Sequence, residues 1–311
     1  MEPALPLPIE KIILELTDDS VTPLSSSLAE LSNLGTEEME FFKRSWAGIK
    51  PKRRRQIIRR LVELAEDSVE LNFDSILKYC LEDQDDEVRS QAIEGLWENE
   101  EPSLIKSLIH LLEHDSSEKV QATAAIAMGK FALLAEHNKL RSNHITRIQQ
   151  ALLAAVYDKN KPVEVSRRAL EAVAPVSLPE VKTAIMEAYR SLNPRLKVSS
   201  VYAMGKSCDV SWLPILLREL TSTDAEVRYE AAGACGDLEE EEAVPYLSKL
   251  VNDSDTDVQM AAIHALGKIG STQARACLKQ CLESNSEIVR QMAEQVLGEL
   301  EAAEDPLSLR L

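Results

Sequence analysis

Residues 224–236 read DAEVRYEAAGACG, and residues 255–267 read DTDVQMAAIHALG. Laid one over the other, both begin on an aspartate, carry a valine three residues later, and place small residues four and seven after that valine. Taking the valine as an anchor, the equivalent positions are Val88, Val120, Val165, Leu196, Val227, Val258 and Val289. The last five stand 31 residues apart, and the 45-residue step from Val120 to Val165 contains an insertion. Four after each anchor come Ala92, Ala124, Ala169, Ser200, Ala231, Ala262 and Ala293. Seven after come Gly95, Ala127, Ala172, Ala203, Ala234, Ala265 and Val296, and eight after come Leu96, Met128, Val173, Met204, Cys235, Leu266 and Leu297. These offsets share one face of a helix. Tiny residues in two of the columns make a ridge against which a neighbouring helix packs closely.

The flanks agree. Three before the anchor stand Asp85, Ser117, Asn193, Asp224, Asp255 and Ser286, all good N-caps, with Pro162 in the remaining copy. Gly129, Gly205, Gly236, Gly267 and Gly298 follow the eighth position, as expected for a helix end or a close contact. Upstream of each anchor lies another apolar helix, in which Leu216 and Leu220 correspond to Leu247 and Val251, then to Leu278 and Leu282. Each unit is therefore helix A, a tight turn and helix B. One such hairpin cannot bury its own apolar stripe, so neighbours must stack. The expected fold is all-α, a right-handed α-solenoid of helical hairpins. Residues 1–70 are degenerate, with Arg53, Ile57 and Leu61 fitting the anchor face loosely, and read as a capping region. Seven repeats occupy 71–300, with a lengthened helix and loop near 133–148, and 301–311 read as a flexible tail.

Composition narrows the function. The 311 residues are 44% hydrophobic but only 4% aromatic, which suits helix-on-helix packing by Leu, Ala, Val and Ile. A net charge of −17 repels phosphate backbones, so nucleic acid is an unfavourable partner. One basic island interrupts this: from Lys43 to Arg60 there are nine Lys or Arg and no acid. It is either the solvated side of a helix or a patch for an anionic partner, formed by Lys52, Arg53, Arg54, Arg55, Arg59 and Arg60. The five cysteines form no CxxC, no signal peptide or bilayer-length apolar run is present, and a reduced cytoplasmic setting is expected.

The D-x-x-V-R and A-A-x-A-L-G pattern, carried here by Asp224, Val227, Arg228, Ala231, Ala232, Ala234, Cys235 and Gly236, resembles the HEAT-like repeats of the phycobilisome lyases. The resemblance covers roughly residues 70 to 300, and the whole chain is similar to bacterial HEAT-repeat proteins of like length. It implies helix B on a concave side and an inter-repeat ladder of Asp and Arg. Arg89, Arg228 and Arg290 keep the ladder arginine; Gln121, Gln259, Ser166 and Lys197 depart from it. It also implies two functional classes. The first is a non-enzymatic scaffold or adaptor for another protein or peptide. The second is a bilin-lyase-like subunit holding a tetrapyrrole and its acceptor protein.

Catalytic motifs are weak. His110 to His114 matches H-x-x-E-H, but Leu111 and Leu112 are core positions of a helix A, which puts the two histidines on its polar flank, and no third ligand is indicated. Cys277 and Cys281, one turn apart, read as a packing row. The iron hydroxylases built on these repeats use His-Glu pairs, and no His-Glu dipeptide occurs here. No metal, cofactor or catalytic residue is expected. A partner would meet the outer face of helix B, at offsets 2 and 6 from the anchor. There three consecutive repeats present Val198, Tyr202, Tyr229, Met260 and His264, bordered by Arg167 and Arg168. Either curvature buries these side chains against one another, or they form a groove for a helix or extended peptide.

Overall fold

The computed structural model describes residues 8–18 and 24–304. Among them every regular element is helical. The helices are α1 (Pro8–Leu16), α2 (Ser25–Ala29), α3 (Thr36–Trp46), α4 (Pro51–Asp67), α5 (Asp74–Cys80), α6 (Asp86–Gly95), α7 (Ser103–His114), α8 (Glu118–Glu136) and α9 (Ser142–Tyr157). They continue as α10 (Val163–Val173), α11 (Pro179–Tyr189), α12 (Pro194–Lys206), α13 (Leu213–Glu219), α14 (Ala225–Leu238), α15 (Val244–Leu250), α16 (Thr256–Ile269), α17 (Thr272–Cys281) and α18 (Glu287–Glu304). The chain divides into two units, Met1–Ala151 and Leu152–Leu311, and the division falls inside α9.

In the first unit the helix-B row is α4, α6 and α8, each packed on the next, with α5 against α6 and α7 against α8. In the second unit α10, α12, α14, α16 and α18 form the row, and α11, α13, α15 and α17 are the matching helices A. Each unit is thus a run of stacked hairpins, the α-solenoid expected. The degenerate region contributes a true helix B, since Arg53, Ile57 and Leu61 on α4 are all buried. The insertion resolves into a 19-residue α8, a short loop and the start of α9. Helix α18 runs on through Glu304, inside the stretch read as a tail, and 305–311 lie outside the described residues, as do 1–7 and 19–23 of the capping region.

The alignment columns are the core. All seven residues four after the anchor have 0% exposure, including Ser200. Anchors Val88, Val120, Val165 and Val258 are likewise fully buried, each contributing about 1.5–3 kcal/mol of burial. Asp85, Asn193, Asp224 and Asp255 cap their helices, each side chain accepting a backbone N–H of the first turn. The glycines after the eighth position lie within helix B rather than ending it. A Cβ on Gly205 would stand 2.6 Å from the Ala234 Cα, and one on Gly236 would stand 2.8 Å from the Ala265 Cα. Glycine there lets adjacent helix-B backbones touch.

A polar ladder runs beside this core. The Arg89 guanidinium donates to both carboxylate oxygens of Asp115 in the next repeat at 2.7 Å and to the Asp83 carbonyl six residues back at 2.7 Å. Arg228 repeats this with Asp253 at 2.8 and 2.7 Å and with the Ser222 carbonyl at 2.8 Å. The α4 equivalent, Arg54, reaches Asp83 at 3.4 Å. Gln121, Gln259 and Arg290 keep the bond to the carbonyl six residues back. Glutamine therefore preserves half the device, bracing its own turn without the guanidinium pair to the next repeat. Lys197 instead pairs with the buried Glu219 at 2.8 Å, and Glu219 also accepts from the Tyr189 hydroxyl.

Candidate functional site

The helix-B face of α12, α14 and α16 carries most of the residues singled out from the sequence. Tyr202 is half-buried, with the Lys206 ammonium 5.4 Å from its ring centroid. Tyr229 is 43% exposed, Met260 is half-buried and His264 is exposed. Two adjoining clefts hold them. One, of about 210 Å³, is lined by Tyr202, Lys206, Tyr229, Glu230 and His264 among others. The other, of about 560 Å³, is lined by Glu226, Tyr229, Asp255, Asp257, Met260 and His264. Tyr229, Ala261 and His264 belong to both and form the shared wall.

Val198 is not part of this surface. It is only 6% exposed, against the expectation that it stands out with the tyrosines. Helix α12 packs between α10 and α14, and a side chain as short as valine stays within that packing layer. Beside it, Ser199 donates a 2.6 Å bond to the Glu171 carboxylate of α10. Arg167 and Arg168 also depart from expectation. Both are spent within α10, on Glu164 at 2.6 to 3.0 Å and on Glu171 at 3.1 and 2.8 Å. Carboxylates on their own helix at i±3 and i±4 satisfy them before any ligand arrives.

Two features of the face went unread in the sequence. Asp237 is clasped by Lys206 at 2.8 Å and Lys268 at 2.6 Å, one from each neighbouring repeat. Burial works against its charge, but these two hydrogen bonds hold the Asp237 carboxyl below its ordinary value. The signal was available, since Lys206, Asp237 and Lys268 alternate at the repeat spacing. The second is Glu230, half-buried and without an ion pair among the described residues. Its pKa is pushed up to about 7, first by burial and then by the charges of Glu171 and Glu226. No periodicity marks that position.

The basic island of α4 is largely dismantled by the fold. Arg53 and Arg54 are buried at 6% and 8% exposure, Arg53 donating to the Leu16 carbonyl at 3.3 Å. Arg55 makes two bonds to Asp85 at 2.8 and 2.7 Å, and Arg60 pairs with Glu63 at 2.6 Å and reaches Ser25. The amphipathic period of α4 turns two of its arginines inward, and Asp85 of the next hairpin and Glu63 of the next turn pair with two more. Lys52, Arg55 and Arg59 remain exposed, Arg55 already in its pair with Asp85. On α7, Leu111 and Leu112 are buried and His110 and His114 exposed, with rings 5.1 Å apart. Among the described residues no three His, Cys, Asp or Glu side chains are grouped as a metal site. No helix among them is long and apolar enough to cross a membrane.

Comparison with known proteins places this geometry. A family model described as HEAT repeats matches residues 73–142 and 213–298. No curated protein matches the chain. Among solved structures, yeast importin-β (Kap95p) is similar over 96% of this chain and 47% of its own, at 13% identity and a TM-score of 0.58. The Kap95:Nup1 complex gives 14% identity, a TM-score of 0.53 and the same coverage. The CpcE–CpcF complex of phycocyanin lyase from Nostoc sp. PCC7120 is similar over 73% of this chain and 94% of its own, at 16% identity and a TM-score of 0.51. At these identities the likeness is one of fold.

Proposed function

Because this chain belongs to the HEAT-repeat family, we propose that it is a non-enzymatic protein-binding scaffold whose docking face is the helix-B surface of α12, α14 and α16. One observation carries the reading. Tyr202, Tyr229, Met260 and His264, drawn from three successive repeats, line two clefts with a common wall. Tyrosine and methionine are the side chains that protein interfaces favour, offering large contact area with few rotatable bonds. Stacked repeats supply such a face at fixed spacing without any catalytic constellation. The test is affinity capture with the full chain and with a Tyr202→Ala/Tyr229→Ala double variant. A specific partner lost from the variant supports the reading, and undiminished capture ends it.

A second reading follows from the likeness to phycocyanin lyase, in which the same clefts would cradle a tetrapyrrole. Titration with phycocyanobilin separates the two. A red shift and sharpening of the visible band favours the lyase-like subunit, and an unaltered spectrum favours the scaffold.

A further inference from the structure

We propose that the segment docking on the α12–α16 face is cationic as well as apolar, an extended stretch of a partner protein in which an Arg or Lys and an aliphatic residue stand two positions apart, on the same side. The inference rests on the scaffold reading and adds the chemistry of the partner. Glu226, Glu230 and Asp257 line the two clefts, and none has an ion-pair partner among the described residues. The nearby cations are already committed: Lys206 and Lys268 to Asp237, and Arg228 to Asp253. Arg167 and Arg168 are held by Glu164 and Glu171. The face thus presents uncompensated negative charge beside Tyr229 and Met260.

That arrangement fits a guanidinium or ammonium in a specific way. A cation in the larger cleft would lie against the Tyr229 ring among the carboxylates of Glu226, Asp255 and Asp257. In an extended segment the next residue on the same side lies about 7 Å further on, which brings an aliphatic group two positions from the cation over Tyr202 in the adjoining smaller cleft. An acidic segment would meet the same carboxylates as repulsion and is selected against.

The probes are two fluorescein-labelled octapeptides, one repeating arginine-serine-leucine-serine and its twin repeating glutamate-serine-leucine-serine, so that charged and aliphatic groups share one side of the extended chain. Binding is read by anisotropy at about 0.15 M ionic strength, where long-range attraction is screened. The arginine peptide is expected to bind and its twin not to bind. A Glu226→Gln/Glu230→Gln/Asp257→Asn variant should weaken binding at least about tenfold, the sum of three partly screened pairs. A control variant, Glu239→Gln/Glu240→Gln/Glu241→Gln beyond the C-terminal end of α14, changes net charge equally and should stay within about twofold of the parent. In the unaltered protein the peptide should slow amide exchange in α14 and α16. Equal weakening by both variants assigns the binding to bulk charge and overturns the proposal. Equal binding of the two peptides, or none, also overturns it. The scaffold reading is judged separately by the capture experiment, which makes no demand on the partner's charge.

Discussion

Replacing Gly236 by alanine tests the packing of the helix-B row at one of its close backbone contacts. Alanine favours a helix interior over glycine by about 1 kcal/mol, so propensity alone would raise stability. The structure opposes this. A Cβ on Gly236 would stand 2.8 Å from the Ala265 Cα and 3.0 Å from its Cβ, and a backbone atom cannot rotate aside. Ordinary carbon–carbon separation is about 3.5–4.0 Å, so α14 and α16 must part by roughly 1 Å, thinning the contacts around the Ala231 and Ala262 ridge. Overpacking of that kind costs about 1–3 kcal/mol after relaxation, and the net is expected as a destabilisation of about 1–2 kcal/mol. A Cβ on Gly233, on the same helix, would meet nothing within 4 Å, and Gly233→Ala should raise stability by about 1 kcal/mol. Melting followed by far-UV circular dichroism should show the two variants on opposite sides of the parent, a few degrees each. Amide exchange in α14 and α16 localises the effect. A Gly236→Ala protein as stable as the parent would refute the close-contact account.

Four further outcomes follow from the electrostatics and thiols. Arg228→Ala removes a bidentate pair with Asp253 and a carbonyl contact, at 11% and 8% side-chain exposure, and should cost about 2–3 kcal/mol in urea unfolding. Arg60→Ala, on an exposed pair, should cost under about 1 kcal/mol. Glu230 has a pKa raised to about 7 in the folded chain, so the native state binds more protons than the unfolded one and stability must fall as pH rises from about 4.5 to 7. Solvent screening holds the effect to about 1–2 kcal/mol, and Glu230→Gln should flatten that part of the pH profile; an unchanged slope contradicts the assignment. Thiol titration in the native state should modify exposed Cys208 first. Cys277, whose thiol is lowered to about 7 by the Cys281 hydrogen bond, should follow near neutral pH. Cys80 and Cys235, both raised by burial, the latter to about 12, should react only on unfolding.

The hairpin stack was legible because its determinants repeat: a column that is Ala or Ser in every copy has one physical meaning, helix against helix at minimum distance. The loosely matching α4 was legible for the same reason, through Arg53, Ile57 and Leu61. Exposure was harder to read. Offset 2 from the anchor points away from the core of a single hairpin, yet Val198 is buried on a helix packed between α10 and α14, neighbours that the wheel of one hairpin does not include. The arginines of α4 and α10 show the same limit, since a cation's availability depends on which acids the fold brings beside it. Glu230 left no trace in the pattern because its state is set first by burial and then by Glu171 and Glu226, one of them on another helix.

The guanidinium of each complete repeat reaches forward, from Arg54 to Asp83, from Arg89 to Asp115 and from Arg228 to Asp253. A unit carrying both plug and socket is compatible with a copy of itself on either side. Duplication of such a unit within the gene creates a junction whose polar complementarity exists from the first generation, and excision heals in the same way. Glutamine at 259 supplies no guanidinium plug, so that junction tolerates divergence in the unit that follows. Lengthening and shortening of the array should therefore be easiest at the arginine junctions, and sequence drift easiest after Gln259.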